Sequence, residues 1–285
     1  HHKRDRVVIA TKFFGNLYPG DPNGGGANRK AILAQCEESL RRLQTDYIDL
    51  YWLHVWDTTT PIEETMRALE TLVQQGKVRY LGFSDTPAWK VAQAQTLAQF
   101  RGWSPLVALQ IEYSLLQRTV EGELVPMARE LGLGVTPWSP LKSGVLSGKY
   151  SRKDHGKHEA GRGAWATNAL DDKTYDLLDA MAAIAKELGT TVARVAIAWV
   201  QSRPGVTSTI IGARTMAQLE DNLAALDVAL TPAHVERLDA LSKPALPFPV
   251  DFVANGASFY YGGTTINGRT AAAWPMAPKG DSDRY

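Results

Sequence analysis

The chain has 285 residues, 44% hydrophobic and 21% charged, with a formal net charge of +1. That composition describes a soluble globular protein and gives no reason to expect a nucleic-acid or membrane-surface partner. No apolar stretch approaches the roughly 20 residues of a membrane span, and the single Cys36 excludes an intramolecular disulfide and fits a reducing, cytoplasmic setting.

The chain opens on His1-His2, which reads as a tag scar or a helix end. Five apolar runs, residues 7–11, 48–53, 78–83, 107–111 and 133–137, each lead into a polar or aromatic residue: Lys12, His54, Ser84-Asp85, Glu112 and Trp138-Ser139. Such near-continuous runs read as parallel strands buried on both faces, and β/α barrels place their chemistry where such strands end. Helical patterns fall between them. Asn28 caps a helix over 29–43, with Ile32, Cys36, Leu40 and Leu43 on one face. In that helix Cys36 reads as a small buried side chain. Thr60-Pro61, acidic Glu63-Glu64 and Gly76 frame a helix over 61–75. Others are predicted over 88–99, 124–131, 173–188, 192–202 and 217–226, and one opens at Thr231-Pro232.

Residues 208–211 read as a last strand, and the glycine-rich stretch 141–167 as a binding loop or lid. Beyond Pro244 the chain reads as an irregular tail of one domain spanning 1–285. The count is about six strands, against eight in a closed barrel. The predicted fold class is therefore α/β, a (β/α)8 TIM-barrel type shortened at its amino terminus to about six βα units. Its open edge needs cover, from a preceding segment, the tail, or a second copy of the chain in a homo-oligomer.

Several strand-end residues suit chemistry together. Lys12 and His54 project into one mouth, where a desolvated lysine lowers the pKa of a neighbouring phenol and a histidine holds or protonates a carbonyl oxygen. Trp138 offers a flat face, and the Ser-Gly-Lys loop after it offers hydroxyls, backbone N–H groups and charge for phosphates. Gly212 leads to Arg214 at a helix start, which suits a phosphate monoester. Gln218 and Asn222 share the next helix face and suit a purine edge. Phe13, Phe14, Trp56, Trp89 and Trp165 are candidates to line an aromatic pocket.

Taken in order, Ala10-Thr11-Lys12, the run from Tyr47 to His54, the run from Gly76 to Ser84, the run from Gln110 to Leu115, Trp138-Ser139-Pro140-Leu141 and Gly212-Ala213-Arg214 resemble the aldo-keto reductases. The likeness is greatest to the bacterial aryl-alcohol-dehydrogenase-like and potassium-channel-β-like branch, and it extends to about Asp251. It implies that Lys12 and His54 are catalytic, that Ser84, Asp85 and Gln110 hold a nicotinamide carboxamide, and that Trp138 stacks on its ring. It further implies a pyrophosphate loop of Ser139, Pro140, Leu141, Gly144, Leu146, Gly148 and Lys149. Gly212, Arg214, Gln218, Asp221 and Asn222 then hold the adenosine and 2′-phosphate, so the implied cofactor is NADP.

The family's catalytic Asp and Tyr, in an Asp-Thr-Ala…Tyr-Gly motif ahead of the lysine strand, have no counterpart in these residues. Tyr18 is a conceivable substitute for the phenol. Three functions follow as expectations: an NADP(H)-dependent oxidoreductase of a small aldehyde, ketone or (aryl) alcohol; an NADP(H)-binding regulatory protein without turnover; and a glycoside hydrolase using carboxylates among Asp57, Asp85 and Glu112.

Overall fold

The computed structural model describes residues 3–152 and 170–284. The chain divides into two compact units, His1–Lys243 and Pro244–Tyr285. In the first, the five apolar runs form strands β1 (Ala10–Phe13), β2 (Ile48–Leu53), β3 (Val78–Ser84), β4 (Leu106–Glu112) and β5 (Gly134–Trp138). All pair in parallel, in the order β1-β2-β3-β4-β5. Parallel neighbours need a crossover, supplied by α1 (Arg29–Leu43), α2 (Ile62–Gln74), α3 (Ala88–Arg101) and α4 (Leu124–Glu130). Helices α5 (Asp172–Glu187), α6 (Val192–Gln201), α7 (Met216–Leu223) and α8 (Pro232–Leu241) follow β5 among the described residues.

Two of the caps read from the sequence form, at Asn28 and Thr231; at α2 the cap is Pro61, with no side-chain bond, and the Thr60 hydroxyl donates to Asp57 instead. Asn28 accepts from the Ala31 N–H at 2.9 Å. Thr231 and His234 close a capping box at the start of α8. Ile32, Cys36 and Leu40 pack under α1, but Leu43, expected on that face, is 40% exposed at the helix end. Burial pushes the Cys36 thiol pKa up to about 12, as suits an inert packing residue.

Strand alternation sorts two chemistries onto two faces. The register row Phe13, Leu53, Phe83, Leu109, Val135 is at most 1% exposed and belongs to the core. The adjacent row, on the opposite face, is Lys12, Trp52, Gly82, Ala108, Gly134. Its glycines make room for larger neighbours, Gly82 for Trp52 and Gly134 for Thr207. A Cβ at Gly82 would lie 2.5 Å from the Trp52 ring and 3.1 Å from the Ala108 carbonyl. Burial on both faces, expected from the apolar runs, is not uniform. In the row below Trp52, Leu50 is half-buried and Tyr80 is 59% exposed, because this five-strand sheet stays open and no strand pairs with the outer edge of β1 among the described residues.

The sixth strand, expected over 208–211, is absent. Gly205 and Thr207 bracket Val135 with two backbone hydrogen bonds of 3.1 and 2.8 Å. The next donor on that edge of β5 would be residue 137, but Pro137 has no N–H to give. The segment slips by one residue, so that Ile210, not Thr209, donates to the Pro137 carbonyl, and Gln201 takes both the N–H and the hydroxyl of Thr209 instead.

A polar network closes the far side. Arg118, 7% exposed, donates to Glu121 at 2.8 and 3.0 Å, to the Asp239 carbonyl and to the Ser242 hydroxyl. Asp239 accepts from the Trp199 indole and from Arg203. The second unit, expected to be irregular, holds two short helices, α9 (Val250–Ala254) and α10 (Ala257–Tyr261), and a hairpin of β6 (Thr265–Ile266) with β7 (Arg269–Thr270).

Candidate active site at the strand ends

Lys12 projects from the face opposite the core row, and its Nζ donates to the side-chain oxygen of Gln110. β1 and β4 are three strand spacings apart, about 14 Å along the sheet. Side chains standing perpendicular to a flat sheet would not meet over that distance; the contact requires a sheet curled like a barrel wall. Burial pulls the Lys12 pKa below 10.5, with Asp85 opposing.

His54 follows β2, where its backbone N–H donates to the Phe13 carbonyl at 3.1 Å. Desolvation, then the Lys12 charge, pull its imidazole pKa below 6.5, again with Asp85 opposing. Asp85 is thus the common counter-charge of both basic groups.

The backbone of Asp85 is left-handed (φ 43°), a conformation Asp tolerates better than most residues. It ends β3 by donating its N–H to the Gln110 carbonyl at 3.1 Å. Its carboxylate accepts from the Trp138 indole at 3.0 Å and from the Ser84 hydroxyl at 3.4 Å. Burial pushes its pKa up, while those hydrogen bonds and His54 pull it down. Ser84 and Gln110 are buried neighbours in register, and Trp138 pairs with Glu112 one step farther along β4 and β5.

The loop after Trp138 is built on unusual backbone. Ser139, Lys142, Ser143, Gly144 and Gly148 have φ between 44° and 93°, and runs of this kind fold the chain into anion-binding concavities. The Ser139 carbonyl and hydroxyl accept from the N–H groups of Lys142 (2.9 Å) and Ser143 (3.2 Å). A Cβ at Gly144 would sit 3.2 Å from Lys149 Nζ, so the ammonium lies over the loop. A Cβ at Gly148 would come 3.0 Å from Val192 Cβ, which seats the loop against the first turn of α6. Pro140 and Leu146 are buried and anchor the loop through their side chains.

From α6 the site continues to α7. Thr191, the cap of α6, and Arg194 donate to Asp221 at 3.3 and 2.8 Å. Gln218 accepts from the Arg214 N–H at 2.8 Å, and Asn222 donates to the Gly212 carbonyl at 3.2 Å. Gln218 and Asn222 therefore hold the turn that presents Arg214, whose guanidinium makes no hydrogen bond or ion pair among the described residues.

The carboxylates read for glycoside hydrolysis have other tasks. Glu112 pairs with Lys142 at 2.6 Å. Asp57 accepts from the N–H groups of Ala27, Thr59 and Thr60 and from both threonine hydroxyls, at 2.6–3.2 Å, which holds its pKa far below 3.8 against the opposing effect of burial. This clamp ties the loop after β1 to the loop after β2. The run Asp57-Thr58-Thr59-Thr60 was its signal, an acidic residue followed by hydroxyls at turn spacing. Lys142, missed as the partner of Glu112, carries no such local signal.

No tyrosine hydroxyl meets Lys12 among the described residues. Tyr51 aligns with Thr11 rather than Lys12 and is fully buried on the other face, beside Phe13. Tyr18 is 60% exposed in the loop after β1. Phe13 is in the core and does not line the mouth, while Trp89 is 64% exposed and Phe14 and Trp56 are partly buried against the core. Trp165 and part of the 141–167 loop lie outside the described residues.

Comparisons with known proteins point one way. The model of the aldo/keto reductase family matches residues 1–243. A probable aryl-alcohol dehydrogenase of Saccharomyces cerevisiae is 36% identical over 260 residues, 88% of this chain and 79% of its own length. An uncharacterized oxidoreductase of Bacillus subtilis is 42% identical over 80% of this chain and 69% of its own. A probable voltage-gated potassium channel subunit beta of Oryza sativa is 38% identical, covering 85% and 76%. The matched residues include the strand-end cluster, the left-handed loop and the Arg214 turn, and the chain belongs to the aldo/keto reductase family.

Proposed function

We propose that the chain is an NADP(H)-dependent oxidoreductase that interconverts a small aldehyde or ketone with its alcohol, aryl alcohols included. One observation carries this reading: an unbroken path from Lys12 and Gln110 through Trp138, the 139–149 loop and α6 to Arg214. Its parts match an elongated anionic cofactor. Ser84 and Gln110 offer polar atoms to a carboxamide, and Trp138, steadied by Asp85, offers a ring face. Lys149 and the left-handed loop suit a pyrophosphate. The unpaired Arg214 suits a 2′-phosphate, which favours NADP over NAD.

A nicotinamide held there would supply the hydride. Lys12 and His54 face the substrate side, where a desolvated ammonium and an imidazole polarise the carbonyl oxygen and deliver its proton. The test is the absorbance of NADPH mixed with the protein and aromatic aldehydes. Aldehyde-dependent oxidation is expected, with kcat lowered about 10²-fold or more in Lys12→Met and His54→Ala.

The 38% identity to a probable voltage-gated potassium channel subunit beta of Oryza sativa favours a second reading, an NADP(H)-binding regulatory protein without turnover. It predicts binding with no oxidation by any aldehyde. Absence of NADPH binding would remove both readings.

A further inference from the structure

The unit Pro244–Tyr285 holds a cavity of about 600 Å³, walled by Phe248, Phe252, Phe259, Tyr260 and Trp274. That volume suits a small molecule. These rings are not packed as a core: Phe248 is 79% exposed, and Phe252 and Phe259 are each 62% exposed. Contiguous exposed apolar surface of this kind marks a binding surface more often than chance placement does.

The walls are set at angles. Phe259 stands at 90° to Trp274, with centroids 5.2 Å apart, and at 71° to Tyr260, with centroids 5.7 Å apart. In each such pair one ring's edge meets the other's face, and all of these rings line the same space. Asp251 is the charged side chain of the lining; no Lys or Arg joins it. Its Oδ1 accepts from the Phe252 N–H at 2.7 Å.

Two glycines make the arrangement sterically feasible. A Cβ at Gly256 would lie 2.6 Å from the Tyr260 ring, so the ring rests on bare backbone. A Cβ at Gly262 would lie 2.1 Å from the Ser258 carbonyl and 2.8 Å from the Trp274 N. Only glycine lets the end of α10 close on Trp274 and bring it against Phe259.

We propose that this cavity is a ligand site of the second unit, and that it takes an organic cation, a quaternary or tertiary ammonium with apolar substituents. Aromatic faces attract such a cation through their quadrupoles, and a carboxylate at the wall adds a Coulombic pull. A neutral molecule of the same shape gains neither.

The experiment titrates the full chain with choline and with its neutral isostere 3,3-dimethylbutan-1-ol, followed by ligand-observed saturation-transfer NMR. Choline is expected to bind saturably and at least about tenfold more tightly than the isostere. Phe259→Leu, which keeps apolar volume but removes a π face, should weaken choline several-fold and leave the isostere unchanged. Asp251→Asn, an exposed substitution that keeps the fold, should also weaken choline alone. No choline binding, equal binding of the isostere, or choline affinity unchanged in both variants would overturn the proposal.

Discussion

Asp57 and Asp85 are both carboxylates beside strand ends, yet their surroundings give them opposite electrostatics. Asp57 receives five hydrogen bonds and is held ionised. Its pKa is lower folded than unfolded, so its contribution to stability is fully present above about pH 4 and is lost as pH falls toward the depressed folded value. Asp57→Ala strands these donors and should cost about 2–4 kcal/mol, read by urea denaturation at neutral pH, with the gap to wild type narrowing in acid. Asp85 raises the pKa of both Lys12 and His54. Asp85→Asn removes that charge while its amide oxygen still accepts from the Trp138 indole. The His54 pKa, already below 6.5, should fall further, as read from its ring-proton shifts; an unchanged or raised value would break the proposed coupling. The sequence displayed Lys12, His54 and Trp138 plainly, because each ends an apolar run. It did not display the Asp85–Trp138 bond, which joins residues 53 positions apart.

At the scale of elements, caps and periods were legible because they are local. Asn28 and Thr231 each cap the helix that their spacing announces, whereas the Thr60 hydroxyl is taken by Asp57. The sixth strand was misread because its failure lies in a neighbour: Pro137 on β5 lacks the donor that a partner strand over 208–211 needs. Leu43 was misread because the periodic face runs out at the helix end. Trp52 and Gly82 show a dependence between strands that no single run reveals. Gly82→Ala should destabilise the first unit by about 1–3 kcal/mol through overpacking against Trp52. Arg118 joins its own turn to α8 in the same way; Arg118→Ala leaves Glu121 and Asp239 short of their partner and should cost about 2–4 kcal/mol, less than a wholly buried pair because both acids keep some water. Thermal or urea unfolding measures both variants. A loss under 0.5 kcal/mol in either, the range of ordinary surface changes, would contradict the packing assigned to it.

At the scale of the molecule, a curled parallel sheet brings Lys12 to Gln110 and carries the site along the loop and α6 to Arg214. No helix among the described residues is long and apolar enough to cross a membrane. The most direct test of the account is an isothermal titration of the full chain with NADPH and with NADH, repeated in Arg214→Ala. Charge-assisted hydrogen bonds to a phosphate are worth about 1.5–3 kcal/mol, so NADPH should bind about tenfold to a hundredfold more tightly than NADH. Most of that preference should vanish in Arg214→Ala while NADH affinity holds. Equal affinities in the wild-type chain, or no binding of either nucleotide, would contradict the account.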